Sequence, residues 1–182
     1  MYGMIHRAMR QMVLERLGYE DWLALEQKLG IGPPELLTGM VYEDALTQEI
    51  IAEAAVQFNL TFDECLTEFG RYWVRYADHG SFSTIMQFTG QNLASFIANL
   101  DRFHLTVGAA MPGTRLPSFT LLSSEEGHLL VQYQSERIGM EKFVYGLFLG
   151  LMDRFATFGD VTVTSREAKS VIFDIRFAEQ CC

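Results

Sequence analysis

The sequence predicts an α+β protein: an N-terminal helical part, then a small antiparallel sheet with one more helix packed on it. Three observations lead there. Apolar residues recur at helical spacing through most of the first 107 positions. Pro112, Gly113 and Pro117 then break that pattern. Beyond them, short β-rich runs flank a single strongly apolar helical stretch, the order expected of helices followed by a separate sheet.

Residues 3–17 place Ile5, Met9, Met12, Val13 and Leu17 at helical spacing before Gly18, and a second helix is expected over 19–29. Gly30, Gly32, Pro33 and Pro34 punctuate. Helices follow over 43–58 and 61–76, the latter opened by Thr61 as N-cap with Glu64 completing a capping box. A short helix is expected at 82–88. From 91 to 107, Leu93, Phe96, Ile97, Leu100, His104 and Val107 share one face, so the histidine lies among side chains that packing buries. Strands are expected at 118–124 and 128–137 around Glu125-Glu126-Gly127, a helix at 140–158, and last strands at 161–164 and 171–177. No internal repeat or low-complexity linker interrupts the chain.

With 182 residues, 49% of them hydrophobic, the chain can bury a sizeable core and a ligand within one domain. Its net charge of -9 and the lack of any Lys/Arg block exclude nucleic acid as a partner. No apolar run approaches the roughly 18 residues of a spanning helix, and the first residues lack a signal peptide's apolar stretch, so a cytoplasmic protein without membrane insertion is expected. Cys65, Cys181 and Cys182 cannot form a disulfide framework. Cys65 is expected to pack as a small hydrophobe and the terminal pair to fray, the alternative being a redox or metal role for that tail.

Tyr133, Ser135 and Arg137 occupy alternate positions, which on a strand face the same way and span roughly 13 Å. A phenol, a hydroxyl and a guanidinium so spaced suit two carboxylates on a flat ligand. Of the four histidines, only His104 is placed by pattern on a strongly apolar helix face. A neutral imidazole in such a groove can be the single protein ligand of a haem iron, with the strand residues anchoring the propionates. The plainer readings are a hydrogen-bonded core histidine and the polar side of an ordinary strand. Pro117 reads either as a rigid wedge or as a loop-to-strand corner.

These residues stand in stretches that resemble the haem nitric oxide/oxygen-binding (H-NOX) domains, which include the haem domain of soluble guanylate cyclase. The likeness covers Met-Tyr-Gly-Met-Ile at the start, Leu100-Asp101-Arg102-Phe103-His104, and Pro112-Gly113-Thr114-Arg115-Leu116-Pro117-Ser118-Phe119. It continues through Tyr133-x-Ser135-x-Arg137 and Phe143-Val144-x-Gly146-Leu147. The resemblance implies haem b (iron protoporphyrin IX) buried between a helical lobe of about 1–60 and a haem-bearing lobe of about 61–182. It implies His104 as proximal iron ligand, Tyr133, Ser135 and Arg137 as propionate anchors, and Pro117 and Ile5 as residues that press on the porphyrin.

Phe143 stands where O2-binding members of the family carry a tyrosine, which implies a distal side without a donor that favours nitric oxide and CO. Leu147 shares the face of Phe143; Tyr145, about 200° around the helix, aims elsewhere, and His6 and Tyr2 are the other conceivable polar groups. The resemblance further implies a stand-alone bacterial sensor: strain released at His104 moves the 91–107 helix, and the helical half pivots on the sheet half. The signal would pass to a separate histidine kinase or diguanylate cyclase/phosphodiesterase, and the sequence contains no catalytic module of its own. Alternatives are an O2-binding or redox haem sensor, and a haem-free binder of an apolar carboxylate. An enzyme with His104 as base and Arg137 as clamp lacks a visible carboxylate to orient the imidazole.

Overall fold

The computed structural model describes residues 1–32, 37–111, 113 and 115–179, and divides inside a helix, at Phe69/Gly70, into two units. The lobe boundary expected near residue 60 precedes that helix. Pro33, Pro34, Pro112, Thr114 and Cys181-Cys182, with the breaks and the tail read from them, lie outside the described residues.

In the first unit, α1 (Gly3–Arg16), α2 (Tyr19–Leu29), α3 (Asp44–Phe58) and the start of α4 (Phe62–His79) bury the stripes their periodicity announces. Met9, Met12 and Val13 of α1 share that core with Trp22, Leu25, Ile50 and Ile51. A Cβ on Gly3 would stand 2.1 Å from the Leu37 carbonyl oxygen, so only glycine lets the 37–42 segment cross the start of α1. There Gly3 donates to the Met40 carbonyl (2.9 Å) and Tyr42 to that of Met1 (2.7 Å). The capping box forms as expected: Thr61 N–H donates to Glu64 (2.8 Å) and Glu64 N–H to Thr61 Oγ1 (3.2 Å). Cys65 is buried, and burial pushes its thiol up to about 12, so it stays protonated and packs as an apolar group.

In the second unit, the rest of α4 is followed by α5 (Ser83–Thr89), α6 (Leu93–Ala98), α7 (Leu100–Ala110), β1 (Ser118–Glu125), β2 (His128–Gln134), α8 (Glu141–Arg154), β3 (Thr157–Glu167) and β4 (Ser170–Glu179). The sheet is antiparallel throughout, in the order β1-β2-β4-β3. Alternation sets its register: Leu129, Val131 and Tyr133 of β2 lie opposite Ile175, Phe173 and Val171 of β4, and all six are buried on one face. Onto that face α8 sets Phe148, whose ring meets Phe173 edge-on at 5.1 Å and Phe119 at 6.1 Å.

Glycines let α4 and α8 approach closely. A Cβ on Gly70 would lie 2.1 Å from the Phe143 carbonyl oxygen, and one on Gly150 would lie 2.9 Å from that of Arg71. Ion pairs flank the crossing, Arg71 with Asp153 and Arg154 with Asp78 (2.9 Å). Among the described residues no helix is long and apolar enough to cross a membrane.

The strand expected at 161–164 runs longer, from Thr157 to Glu167, and three other elements differ from the sequence expectation. The helix expected over 91–107 is two, divided at Asn99, whose side-chain amide donates to the Thr89 (3.0 Å) and Ser95 (2.9 Å) carbonyls instead of leaving the backbone to continue undisturbed. The strand expected to reach 137 ends at Gln134, because Ser135 N–H donates to the Lys169 carbonyl (3.0 Å) and the chain then bends. The helix expected to reach 158 stops at Arg154: Ala156 takes a left-handed φ of 50°, and Thr157 and Phe158 join β3 opposite Glu179 and Ala178.

Phe148 joins helix to sheet, so Phe148→Ala should lower the stability measured by urea unfolding by about 3–5 kcal/mol. Phe158, 61% exposed, is the control: Phe158→Ala should stay within about 0.5 kcal/mol of the parent.

Candidate functional site

The site is built around His104. An Asn92/Ser95 capping box starts α6 (Ser95 N–H to Asn92 Oδ1, 2.8 Å), Asn99 joins it to α7, and Leu100 and Val107 bury the face of α7 that His104 shares. The imidazole lies between aromatic rings, Phe103 at 5.7 Å and Phe119 at 5.5 Å. Burial pushes its pKa down, opposed by its bond to the Pro117 carbonyl and by the Asp101 charge, so the ring is held neutral.

The tautomer follows from the partner. His104 Nδ1 lies 3.0 Å from the Pro117 carbonyl oxygen, which can only accept, so Nδ1 carries the proton. In a neutral ring Nε2 then keeps its lone pair, which takes no hydrogen bond among the described residues. Phe119 N–H donates back to Asp101 Oδ1 (2.5 Å), so the segment from Pro117 to Phe119 is bonded to α7 twice.

The polar half of the site adjoins Phe119. Its ring lies 5.3 Å from that of Tyr133, which is buried on the inner face of β2. Burial raises the Tyr133 pKa, against the opposing pull of a hydrogen bond with the Ser135 hydroxyl and of the Arg137 charge, so the phenol keeps its proton. Ser135 Oγ accepts the Arg137 backbone N–H (3.0 Å), and the Arg137 guanidinium donates to the Arg115 carbonyl. The three residues do come together, but around a turn. Because β2 ends at Gln134, they do not form the expected 13 Å row on a strand; the i to i+2 bond folds Arg137 back over Ser135.

Of the remaining expected site residues, Pro117 is half-buried at the entrance to β1, and Phe143 and Leu147 are half-buried one turn apart on α8. Tyr145 is packed against the sheet core. Ile5 is half-buried on α1, in the first unit. Two residues had no role in the sequence reading although both stand in the quoted motifs: Asp101, one helical turn before His104, and Phe119, whose ring lies beside both the imidazole and the phenol. Their only sequence signal was that nearness to His104 and Pro117.

The arrangement offers one neutral nitrogen lone pair in aromatic surroundings and, nearby, hydroxyl and guanidinium donors suited to carboxylates. Solved structures share the fold: an H-NOX protein from S. oneidensis in its Fe(II)NO state (TM-score 0.87, 18% identity, covering 98% of this chain and 100% of that one), and an oxygen-binding H-NOX domain related to soluble guanylate cyclases in its oxygen complex (TM-score 0.82, 20% identity, covering 97% and 95%).

Among curated relatives, soluble guanylate cyclase 89Db of Drosophila melanogaster is 25% identical over 146 residues, 80% of this chain and 22% of that protein. Soluble guanylate cyclase gcy-34 of Caenorhabditis elegans is 25% identical over 150 residues, 81% and 22%. The chain thus spans about a fifth of the length of these relatives. Residues 2–163 match the haem-NO-binding family, and over that span this protein belongs to the H-NOX family of haem-based gas-sensing domains.

Proposed function

We propose that the domain holds haem b through His104 and senses nitric oxide, and CO, in preference to dioxygen. The observation that carries this reading is the His104 tautomer: Nδ1–H is engaged by the Pro117 carbonyl, which leaves the Nε2 lone pair for a metal. The donor set fits the group. The imidazole would supply one nitrogen ligand to the iron, aromatic rings surround it, and the Tyr133–Ser135–Arg137 turn would offer donors to the propionates. Bound there, ferrous haem would supply an iron centre able to take up a diatomic gas.

The chain's own residues would do the rest. Pro117 both orients His104 and would bear on the macrocycle. Phe143 would face the gas without a hydrogen-bond donor; bound O2 carries negative charge and gains from a donor, whereas NO and CO depend on one much less. α7, which carries His104, would be the element that passes a change at the haem outward to a histidine kinase or a diguanylate cyclase/phosphodiesterase. The guanylate cyclase activity in the names of the relatives is not carried over, since the match covers about a fifth of those proteins. The general-base alternative is disfavoured because the group orienting His104 is a neutral carbonyl and not a carboxylate.

His104→Gly should lose haem on desalting and regain it with exogenous imidazole; Soret absorbance measures this, and an unchanged haem content would refute the ligand assignment. Phe143→Tyr should introduce measurable O2 binding in the ferrous protein, and a stable oxy spectrum already present in the parent would contradict the distal reading. The sign of the pH dependence follows from the lowered His104 pKa. The neutral ligating form persists through neutral pH and is lost only in acid, below the ordinary imidazole range, so haem retention should be flat from pH 8 through neutrality and fall on acidification.

A further inference from the structure

Two hydrogen bonds of opposite direction join α7 to the chain entering β1: His104 Nδ1–H donates to Pro117, and Phe119 N–H donates to Asp101. Their ends are matched. Asp101 and His104 are three residues apart on a helix, hence on one side of it, and Pro117 and Phe119 are two apart in extended chain, hence on one side of that. Any slide or rotation of α7 along this segment strains both bonds together. Among the described residues β1 is an edge strand with β2 as its sole strand neighbour, so Asp101 is what covers the Phe119 N–H there. The Asp101 carboxylate lies in the first turn of α7, where the helix dipole also favours a negative charge.

We propose that Asp101 is a positioning residue for the haem ligand: by pinning Phe119 it holds the Pro117 carbonyl against Nδ1–H and so sets how strongly His104 binds iron. The proposal rests on His104 being that ligand. A carbonyl held firmly on Nδ1–H makes the imidazole a stronger donor at Nε2; a slack one makes it weaker.

The test uses the haem-loaded chain with Asp101→Asn, which keeps an oxygen acceptor, and Asp101→Ala, which does not. In the parent, Phe119 N–H should exchange at least about 100-fold more slowly than in an unstructured chain, despite its edge position. In Asp101→Ala its exchange should rise by about tenfold or more, and the iron–histidine stretching band of the unliganded ferrous protein should move to lower frequency. Asp101→Asn should stay near the parent in both.

Free exchange at Phe119 in the parent overturns the proposal whatever the variants do, and remains decisive if Asp101→Ala does not fold. An Asp101→Ala protein with Phe119 protection or the iron–histidine band unchanged overturns it as well. So does Asp101→Asn shifting as far as Asp101→Ala, which would make charge rather than the hydrogen bond responsible. Failure of the underlying reading looks different: the iron–histidine band would then survive in His104→Gly, while the Phe119 exchange would still report on the clamp.

Discussion

The bond from His104 Nδ1 to the Pro117 carbonyl is the constraint on which the rest of the site depends. It fixes three things at once. It chooses the tautomer, it fixes the ring plane between Phe103 and Phe119, and it ties α7 to the first residues before the sheet. A histidine with the same burial but its proton on Nε2 would offer no lone pair there, and the aromatic surroundings would then mean packing and nothing more. Burial reinforces the choice by disfavouring the charged ring.

Much of the fold could be read from local pattern, and the misses share a cause. The Thr61/Glu64 capping box and the Glu126-Gly127 turn were legible because both partners sit within a few residues of each other. The division of the 91–107 helix depends on an Asn99 amide reaching Thr89, and the end of β2 on Ser135 meeting Lys169 across the sheet. The early end of α8 depends on a non-glycine residue, Ala156, accepting a left-handed turn so that Thr157 can pair with β4. Hydrophobic periodicity carries no record of such distant partners.

The site divides in the same way. His104, Tyr133, Ser135 and Arg137 could be singled out because their residue types and spacing imply chemistry. The shape they make could not, since the extended row assumed for 133–137 requires a strand that stops at Gln134. The turned arrangement has a physical consequence: donors that would have been spread along an edge are concentrated, with Ser135 bonded to both the Tyr133 hydroxyl and the Arg137 backbone. Asp101 and Phe119 escaped notice because their roles exist only in contact with each other, across the break between helix and sheet.

The two helices that carry the site are held very differently, and the difference suits a sensor. α8 is fastened by close glycine contacts with α4, by two flanking ion pairs and by Phe148 wedged between Phe119 and Phe173. α7 buries only Leu100 and Val107 fully, leaves Leu105 75% exposed, and meets β1 through two hydrogen bonds. Segments with few buried apolar contacts open and shift at lower cost than those with many. On the proposed reading, a perturbation at His104 would act on the lightly held helix while α8 keeps its place on the sheet, so that chemistry at one ring nitrogen would become displacement of one surface helix without disturbing the core beneath.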